Sequence, residues 1–204
     1  MEQGGGAPAA NTARRLFFAL WPDEAVRRAI GNLVVNLPIP RGGRAIRPER
    51  FHVTVVFLGE FAPLSDSMLA AVQAAGDSVR ALCFDLALDH VDSFARSRVG
   101  WLGPRIVPAE LMALHDALDG ALRSAGVPLT SSTSFVPHIT IQRNVRTAVP
   151  ARELPPIQWK VRDFVLVTSV PGSPEPYRII RKWPLVRRDS APPTPGASRF
   201  SRRV

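Results

Sequence analysis

Two short stretches of this 204-residue chain follow the same pattern, and they decide how the rest of the sequence is interpreted. The first reads HVTVVFLG at residues 52–59, and the second reads HITIQR at residues 138–143. Each begins with a histidine, an apolar residue, a threonine and a second apolar residue, and the copies lie in separate halves of the chain. The alternation of polar and apolar residues predicts that each copy is a β-strand.

Strict alternation of side chains assigns a face to every residue of the two predicted strands. One face carries the histidine, the threonine and the residue two positions further on, namely His52, Thr54 and Val56, and His138, Thr140 and Gln142. The other face carries the intervening residues, namely Val53, Val55 and Phe57, and Ile139, Ile141 and Arg143. Each strand can therefore bury one face in a core and present a His-Thr pair to a cleft. Two such strands facing each other would offer two imidazoles and two hydroxyls to one small anionic group.

The repetition decides between a structural and a functional role for the two histidines. A single histidine in an apolar strand is most often structural. This chain has four histidines, however, and two of them head the same pattern, whereas His90 and His115 have no such context. We therefore predict a site at His52 and His138 and a structural role for His115, which lies at the edge of an apolar helical stripe.

Features around the motifs extend the pattern into a family resemblance. Residues 15–20 read RLFFAL, residues 46–51 read IRPERF before the first motif, and VP at residues 136–137 precedes the second. On these residues the chain resembles the 2H phosphoesterase superfamily, which is defined by two His-x-Thr-x motifs. Within it, the chain is similar to the RNA 2′,3′-cyclic phosphodiesterases, also called 2′-5′ RNA ligases. The resemblance covers about residues 14–187.

The resemblance implies a reaction and a role for each motif residue. The reaction is hydrolysis of RNA 2′,3′-cyclic phosphodiester ends to 2′-phosphomonoesters without a metal or any other cofactor. His52 would be the proton donor to the 3′ oxygen and His138 the proton acceptor from water, although the sequence itself does not distinguish the two roles. Thr54 and Thr140 would donate hydrogen bonds to the non-bridging oxygens. A 5′-hydroxyl in place of water would give a 2′-5′ RNA linkage.

Arginines near the motifs have two interpretations each. Strict alternation puts Arg143 on the apolar face, where it would form a structural ion pair, whereas a strand end or a bulge would turn it toward the phosphate as a substrate-binding residue. Residues 41–47 form a basic loop that would either guide RNA to the cleft or remain solvated.

The order of the predicted elements indicates an α+β fold. Helices are expected at residues 23–36 with Pro22 in the first helical position, from Pro63 onward, and from Pro108 to Gly126. Residues 144–157 are expected to be a connection rich in proline and arginine. The resemblance implies two similar lobes, each an antiparallel-type sheet backed by helices, with one motif strand from each lobe in a central cleft.

The remaining sequence features bear on the extent of the domain, the location of the protein and its oligomeric state. We predict a single bilobal domain over residues 14–188, between disordered tails at residues 1–13 and 189–204. The single Cys83 cannot form an internal disulfide, which favours a reducing, cytoplasmic location. No apolar run is long enough to span a membrane, and a monomer is expected.

The net charge of +9 suits an RNA partner, although the excess is almost entirely arginine, which GC-rich coding also produces. No serine-hydrolase elbow or ATP-binding loop is present in the sequence, and zinc binding by the two motif histidines lacks a third ligand. Two alternatives stay open. One is an RNA-end binding protein without turnover, and the other is a cyclic phosphodiesterase that acts on a small nucleotide.

Overall fold

The computed structural model describes residues 13–37, 43–129, 135–173 and 177–187. Three α-helices lie in these ranges, namely α1 (Glu24–Asn36), α2 (Asp66–Ser78) and α3 (Ala109–Ser124). Nine strands accompany them, namely β1 (Arg14–Leu20), β2 (Arg44–Ala45), β3 (Val53–Phe61), β4 (Phe84–Phe94), β5 (Val99–Gly103), β6 (Ile139–Arg143), β7 (Arg152–Val161), β8 (Asp163–Ser169) and β9 (Arg178–Pro184). The predicted α+β class is confirmed.

The nine strands form one antiparallel sheet made of two halves. One half has the strand order β7-β4-β5-β6 and the other β3-β1-β8-β9. Where they meet, Val53 on β3 pairs with Ile139 on β6, and the short strand β2 pairs with β6 beside this point. The two halves also meet at a second place, because Leu82, just before β4, forms a parallel bridge with Val186, just after β9.

The helices begin where side chains satisfy the free N–H groups of the first turn. The Asp23 carboxylate accepts a 2.9 Å hydrogen bond from the Val26 N–H, so α1 begins at Glu24. Pro22 therefore precedes the helix, and the prediction that it occupies the first helical position was wrong. Ser65 caps α2 in the same way through the Met68 N–H. Gly126, with φ +69°, follows the end of α3 in the left-handed conformation that the sequence predicts there.

The two faces of the sheet have different roles. One face packs against the helices in a large core, to which β1 contributes Leu16, Phe18 and Leu20. The opposite face of β1 and β8 carries a small separate cluster, namely Phe17, Ala19, Val165 and Val167. We call this second side of the sheet the cleft face, because the motif histidines lie on it.

A bulge in β3 changes which of its residues reach the cleft face. The register against β1 shifts between Phe18 and Ala19, which leaves Val55 as an extra residue. Val56 consequently lies in the core opposite Phe18, and Phe57 is 42% exposed on the cleft face. The expectation that Val56 shares a face with His52 and Thr54 was therefore wrong.

A second bulge has the same effect at the end of β6. Trp101 on β5 pairs with Thr140, but Gly100 pairs with Gln142, so one residue of β6 is passed over. Gln142 is only 8% exposed and lies against Gly100 on the core side, whereas Arg143 is exposed. The predicted faces of Gln142 and Arg143 are thus reversed, since strict alternation holds only for a regular strand.

Strand β7 begins at Arg152, inside the segment 144–157 that was expected to be a connection, so residues 152–157 belong to a strand instead. It contains Pro155 and Pro156, which normally argue against a strand. However, β7 lies at the edge of the sheet and pairs only with β4, and its register shifts at the two prolines. An edge position and a bulge are the two places where a strand tolerates proline, so the absence of an N–H donor costs no ladder hydrogen bond here.

Some sequence predictions concern residues outside the described ranges. They include both tails apart from Ala13, the Ser/Thr run at residues 130–134, and the first two residues of the basic loop 41–47. Within the described ranges, no helix combines the length and the apolar character that crossing a membrane requires.

Candidate active site

The two motifs meet at the junction of the two half-sheets. Val53 and Ile139, the second residue of each motif, are direct partners in an antiparallel pair and are both fully buried. The register about this pair aligns His52 with Thr140 and Thr54 with His138. The structure thus brings together the four motif residues that the sequence singled out.

Both motif histidines are held by the same backbone contact. The Nδ1 atom of His52 lies 2.7 Å from the Arg50 carbonyl oxygen, and the Nδ1 atom of His138 lies 2.7 Å from the Val136 carbonyl oxygen. A carbonyl oxygen only accepts, so each Nδ1 must carry the proton. In the neutral ring Nε2 is then a free base, and in the charged ring it is an acid.

Aromatic rings surround the imidazole of His52. The rings of Phe17 and Trp21 lie roughly parallel to it, with centroids at 5.1 and 5.5 Å. The ring of Tyr177 contacts it edge-on at 5.4 Å. We call Phe17, Trp21 and Tyr177 the first aromatic cage. Water is excluded from most of the ring, which makes the charged imidazolium costly.

The cage also helps to hold the residue that anchors His52. The guanidinium of Arg50 lies 5.1 Å from the centroid of the Tyr177 ring and donates a 3.1 Å hydrogen bond to the Ser173 carbonyl oxygen. The carbonyl of the same residue accepts from His52. Arg50 therefore links the first motif to the segment that precedes β9.

A smaller cage surrounds the imidazole of His138. Phe94 contacts it edge-on at 4.9 Å, and Trp101 lies at 6.2 Å. Phe94 and Trp101 stack on each other at 5.3 Å. We call these two residues the second aromatic cage. Each half-sheet therefore supplies one histidine together with its own aromatic surroundings.

Burial and charge lower the pKa of both histidines. For His52, desolvation is the main cause, the charges of His138 and Arg143 add to it, and the pKa falls from 6.5 to about 4. For His138, desolvation and the charge of Arg143 lower the pKa below 6.5. The hydrogen bonds to the backbone carbonyls oppose both shifts. Both imidazoles are consequently neutral in the free protein at pH 7.

Arg143 is directed toward the site by the second bulge. Its charge acts on both motif histidines, and within the described ranges no carboxylate forms an ion pair with it. Its direct partner on β2 is Arg44, another exposed cation. Like charges directly opposite each other destabilise a strand pair. Such an arrangement is favourable when an anion lies between or above the two charges.

The hydroxyls of the motif threonines complete the polar surface of the cleft. Thr54 and Thr140 are half-buried, and neither hydroxyl has a hydrogen-bond partner among the residues that the structure describes. In the same ranges no three side chains of His, Cys, Asp or Glu stand close enough to hold a metal ion. The groups that converge on the cleft are therefore two imidazoles, two hydroxyls and a guanidinium.

Comparison with known families and structures agrees with this geometry. A family model described as the 2′-5′ RNA ligase superfamily matches residues 22–172. The chain belongs to this superfamily. The resemblance inferred from the two motifs is thereby confirmed.

Individual members of the superfamily match most of the chain. The RNA 2′,3′-cyclic phosphodiesterase of Escherichia coli (strain K12) is 31% identical over 180 residues, which cover 85% of this chain and 98% of the relative. The protein of the same name from Archaeoglobus fulgidus is 27% identical over 166 residues, or 76% of this chain and 91% of the relative. The crystal structure of E. coli LigT in its apo form superposes with a TM-score of 0.73 at 30% identity, covering 85% of this chain and 98% of that one.

The sequence did not reveal the two aromatic cages of this superfamily member. Phe94 and Trp101 lie on strands that have no motif, and Trp21 follows β1 as a single aromatic residue. Only their shared position on the cleft face connects them to the histidines, and that position depends on strand order and register. The single available signal was the alternation of β1, which, continued by one residue, sets Phe17 and Trp21 on one face.

Proposed function

We propose that this protein hydrolyses the 2′,3′-cyclic phosphodiester ends of RNA to 2′-phosphomonoesters. The observation that carries this proposal is the matched anchoring of His52 and His138, which leaves one Nε2 atom of each ring available at the same junction. A phosphorus atom between two such nitrogens has a base on one side and an acid on the other. RNA 2′,3′-cyclic phosphodiesterase is also the name of the relatives with which the chain aligns over most of its length.

The reaction needs two proton transfers and no oxidation or reduction. His138 accepts a proton from water, and the water oxygen forms a new bond to phosphorus. The bond between phosphorus and the 3′ oxygen breaks on the opposite side, and His52 donates a proton to that oxygen. The products are a 2′-phosphomonoester and a free 3′-hydroxyl. Each proton transfer of this kind typically contributes a factor of about 10²–10⁴ to the rate.

The remaining polar groups stabilise the charge that develops on the phosphate. Thr54 and Thr140 donate their hydroxyl protons to the non-bridging oxygens, and Arg143 contributes a positive charge at the end of β6. Arg44 adds a second charge beside it. Because neither threonine hydroxyl is engaged within the described ranges, both are available without first breaking another hydrogen bond.

The acid role of His52 depends on the charge of the substrate. A pKa of about 4 keeps the free imidazole neutral at pH 7. A bound phosphodiester carries a negative charge, which favours the imidazolium and raises the pKa of a histidine beside it. Substrate binding would therefore supply the electrostatic change that makes His52 able to donate a proton.

The same site would also support formation of a 2′-5′ linkage. A 5′-hydroxyl of RNA takes the place of water, His138 removes its proton, and the phosphorus again loses its bond to the 3′ oxygen. No nucleotide cofactor is needed, because the strained five-membered ring provides the activated phosphate.

The decisive experiment measures hydrolysis of an oligoribonucleotide that ends in a 2′,3′-cyclic phosphate, with excess EDTA, for the wild type, His52→Ala and His138→Ala. We expect turnover to a 2′-phosphate by the wild type and a loss of about 10² or more in each variant. Arg123→Ala, which changes an exposed residue on α3, is the control. Absence of wild-type turnover, with tight binding of the same RNA, would instead establish an RNA-end binding protein.

A further inference from the structure

A cavity of about 530 Å³ lies next to the first aromatic cage. One of its walls is Trp21, whose indole stacks on His52. Its lining also includes Val165, Ile179 and Lys182, and Val165 pairs with Lys182 where β8 meets β9. Val165 belongs to the apolar cluster of the cleft face. The cavity therefore adjoins the cleft face at Trp21 and Val165.

The cavity offers an apolar platform of a kind that nucleobases use. The Trp21 indole is half-buried, and Ile179 is 42% exposed although it is a large apolar residue. Aromatic rings bind unpaired bases by stacking, without strong preference for one base, because every base has a π-face. The volume lies within the range of pockets that hold ligands of nucleotide size.

The rim of the cavity is cationic. The chain has only two lysines, Lys160 and Lys182, and both line this cavity together with Arg162. Lys182 is paired with Asp163 at 2.9 Å, whereas in the described part of the chain neither Lys160 nor Arg162 forms an ion pair.

The other acidic residue of the cavity, Asp23, accepts the Val26 N–H as the cap of α1. The cavity is thus lined by three cations and two carboxylates, so its net charge is positive.

We propose that this cavity binds the nucleotide that precedes the cyclic-phosphate end of an RNA strand. The base of that nucleotide stacks on Trp21, and the phosphodiester that joins it to the terminal nucleotide lies near Lys160 and Arg162. This inference rests on the proposed function, since it places the cyclic phosphate between the two motif histidines. It adds a substrate class, namely RNA ends of two or more nucleotides, because a cyclic mononucleotide would occupy the cleft and leave the cavity empty.

The test compares two substrates on the wild type and on two variants, each of which lacks two cations. The substrates are a 2′,3′-cyclic mononucleotide and a dinucleotide with the same cyclic end. The variant is Lys160→Ala/Arg162→Ala, and its control is Arg28→Ala/Arg123→Ala, which removes two exposed cations from helices α1 and α3. The measured quantity is the ratio of kcat/KM for the dinucleotide to kcat/KM for the mononucleotide.

We expect the wild type to prefer the dinucleotide by tenfold or more, and the cavity variant to lose most of that preference. The control should keep it. In a plot of log KM for the dinucleotide against log salt concentration, the slope of the cavity variant should be smaller by about 0.7 for each lost phosphate contact. A wild type that hydrolyses both substrates equally well, or a variant that keeps the wild-type ratio, would overturn the inference while leaving the proposed function intact.

Failure of the proposed function would be recognised separately. If the wild type hydrolyses neither substrate, binding is measured instead, with a dinucleotide and a mononucleotide that both end in a 2′-phosphate. Weaker binding of the dinucleotide alone by the cavity variant would support the cavity. Equal effects on both ligands would rule it out.

Discussion

Arg44 on β2 lies directly opposite Arg143 on β6, so two exposed cations form one cross-strand pair at the edge of the cleft. No acidic side chain within the described ranges neutralises either guanidinium. The repulsion is unfavourable for the strand pair, and a phosphate bound at this place would relieve it. Within the described ranges Arg143 therefore lacks the structural ion pair that was one of its two sequence interpretations, and its action on substrate stays a prediction.

Replacing Arg143 should change both binding and pH dependence. Its charge lowers the pKa of His52 and of His138. In Arg143→Ala both pKa values should therefore rise, and the optimum of kcat/KM should move to higher pH, together with a loss of about tenfold or more. Arg143→Lys keeps the charge and should keep the wild-type optimum. An Arg143→Ala optimum at the wild-type pH would show that this arginine does not act on the histidines.

The wild-type pH profile should have its optimum on the acidic side. The proposed mechanism requires one neutral and one charged imidazole, and burial lowers the pKa of both histidines below 6.5 in the free protein. The profile of kcat/KM reports the free enzyme, so it should peak below pH 6.5 and fall as the pH rises. The profile of kcat should lie at higher pH, because the bound phosphate favours the imidazolium. Coincident profiles of kcat and kcat/KM would contradict this account.

Each aromatic cage should control the pKa of its own histidine. Trp21→Ala admits water to His52, and the pKa of His52 should rise from about 4 toward 6.5. Phe94→Ala opens the second cage, so it should raise the pKa of His138 and leave that of His52 nearly unchanged. The two variants are controls for each other, and the measurement is an NMR titration of the imidazole Cε1–H signals. A shift of both histidines in both variants would indicate a general loosening of the fold.

The acid and base roles can be separated with a modified substrate. In a cyclic end whose 3′ bridging oxygen is replaced by sulfur, the leaving thiolate needs little help from an acid. If His52 is the proton donor, His52→Ala should recover most of its lost activity on this substrate, whereas His138→Ala should remain slow. Recovery in His138→Ala alone would exchange the two assignments. Recovery in neither variant would indicate that proton donation is not the step that the substitutions slow.

The sequence predicted the fold class and the core of the site for clear physical reasons. Amphipathic periodicity marks α1 and α3, and the alternation of the motifs marks the strands that carry His52 and His138. Each of these signals is local, because the repeat of 3.6 residues in a helix or of two residues in a strand is visible within one segment of the chain.

The features that were missed depend on pairing between distant segments. The bulges that bury Val56 and turn Arg143 to the cleft face arise from the registers of β3 against β1 and of β6 against β5. The two prolines of β7 are tolerated only because β4 is its single partner. No local period encodes a register or an edge, so these features required the structure.

Within the described ranges, β3 and β6 share only the pair of Val53 with Ile139, and one motif histidine immediately precedes each strand. A continuous ladder would hold the two strands at a fixed separation, whereas a single pair permits a small rotation of one half-sheet against the other. In the proposed reaction, a bound phosphorus with its attacking and leaving oxygens on opposite sides would then set the distance between the two Nε2 atoms. The substrate would thereby fix the separation at which the two imidazoles of the proposed mechanism act.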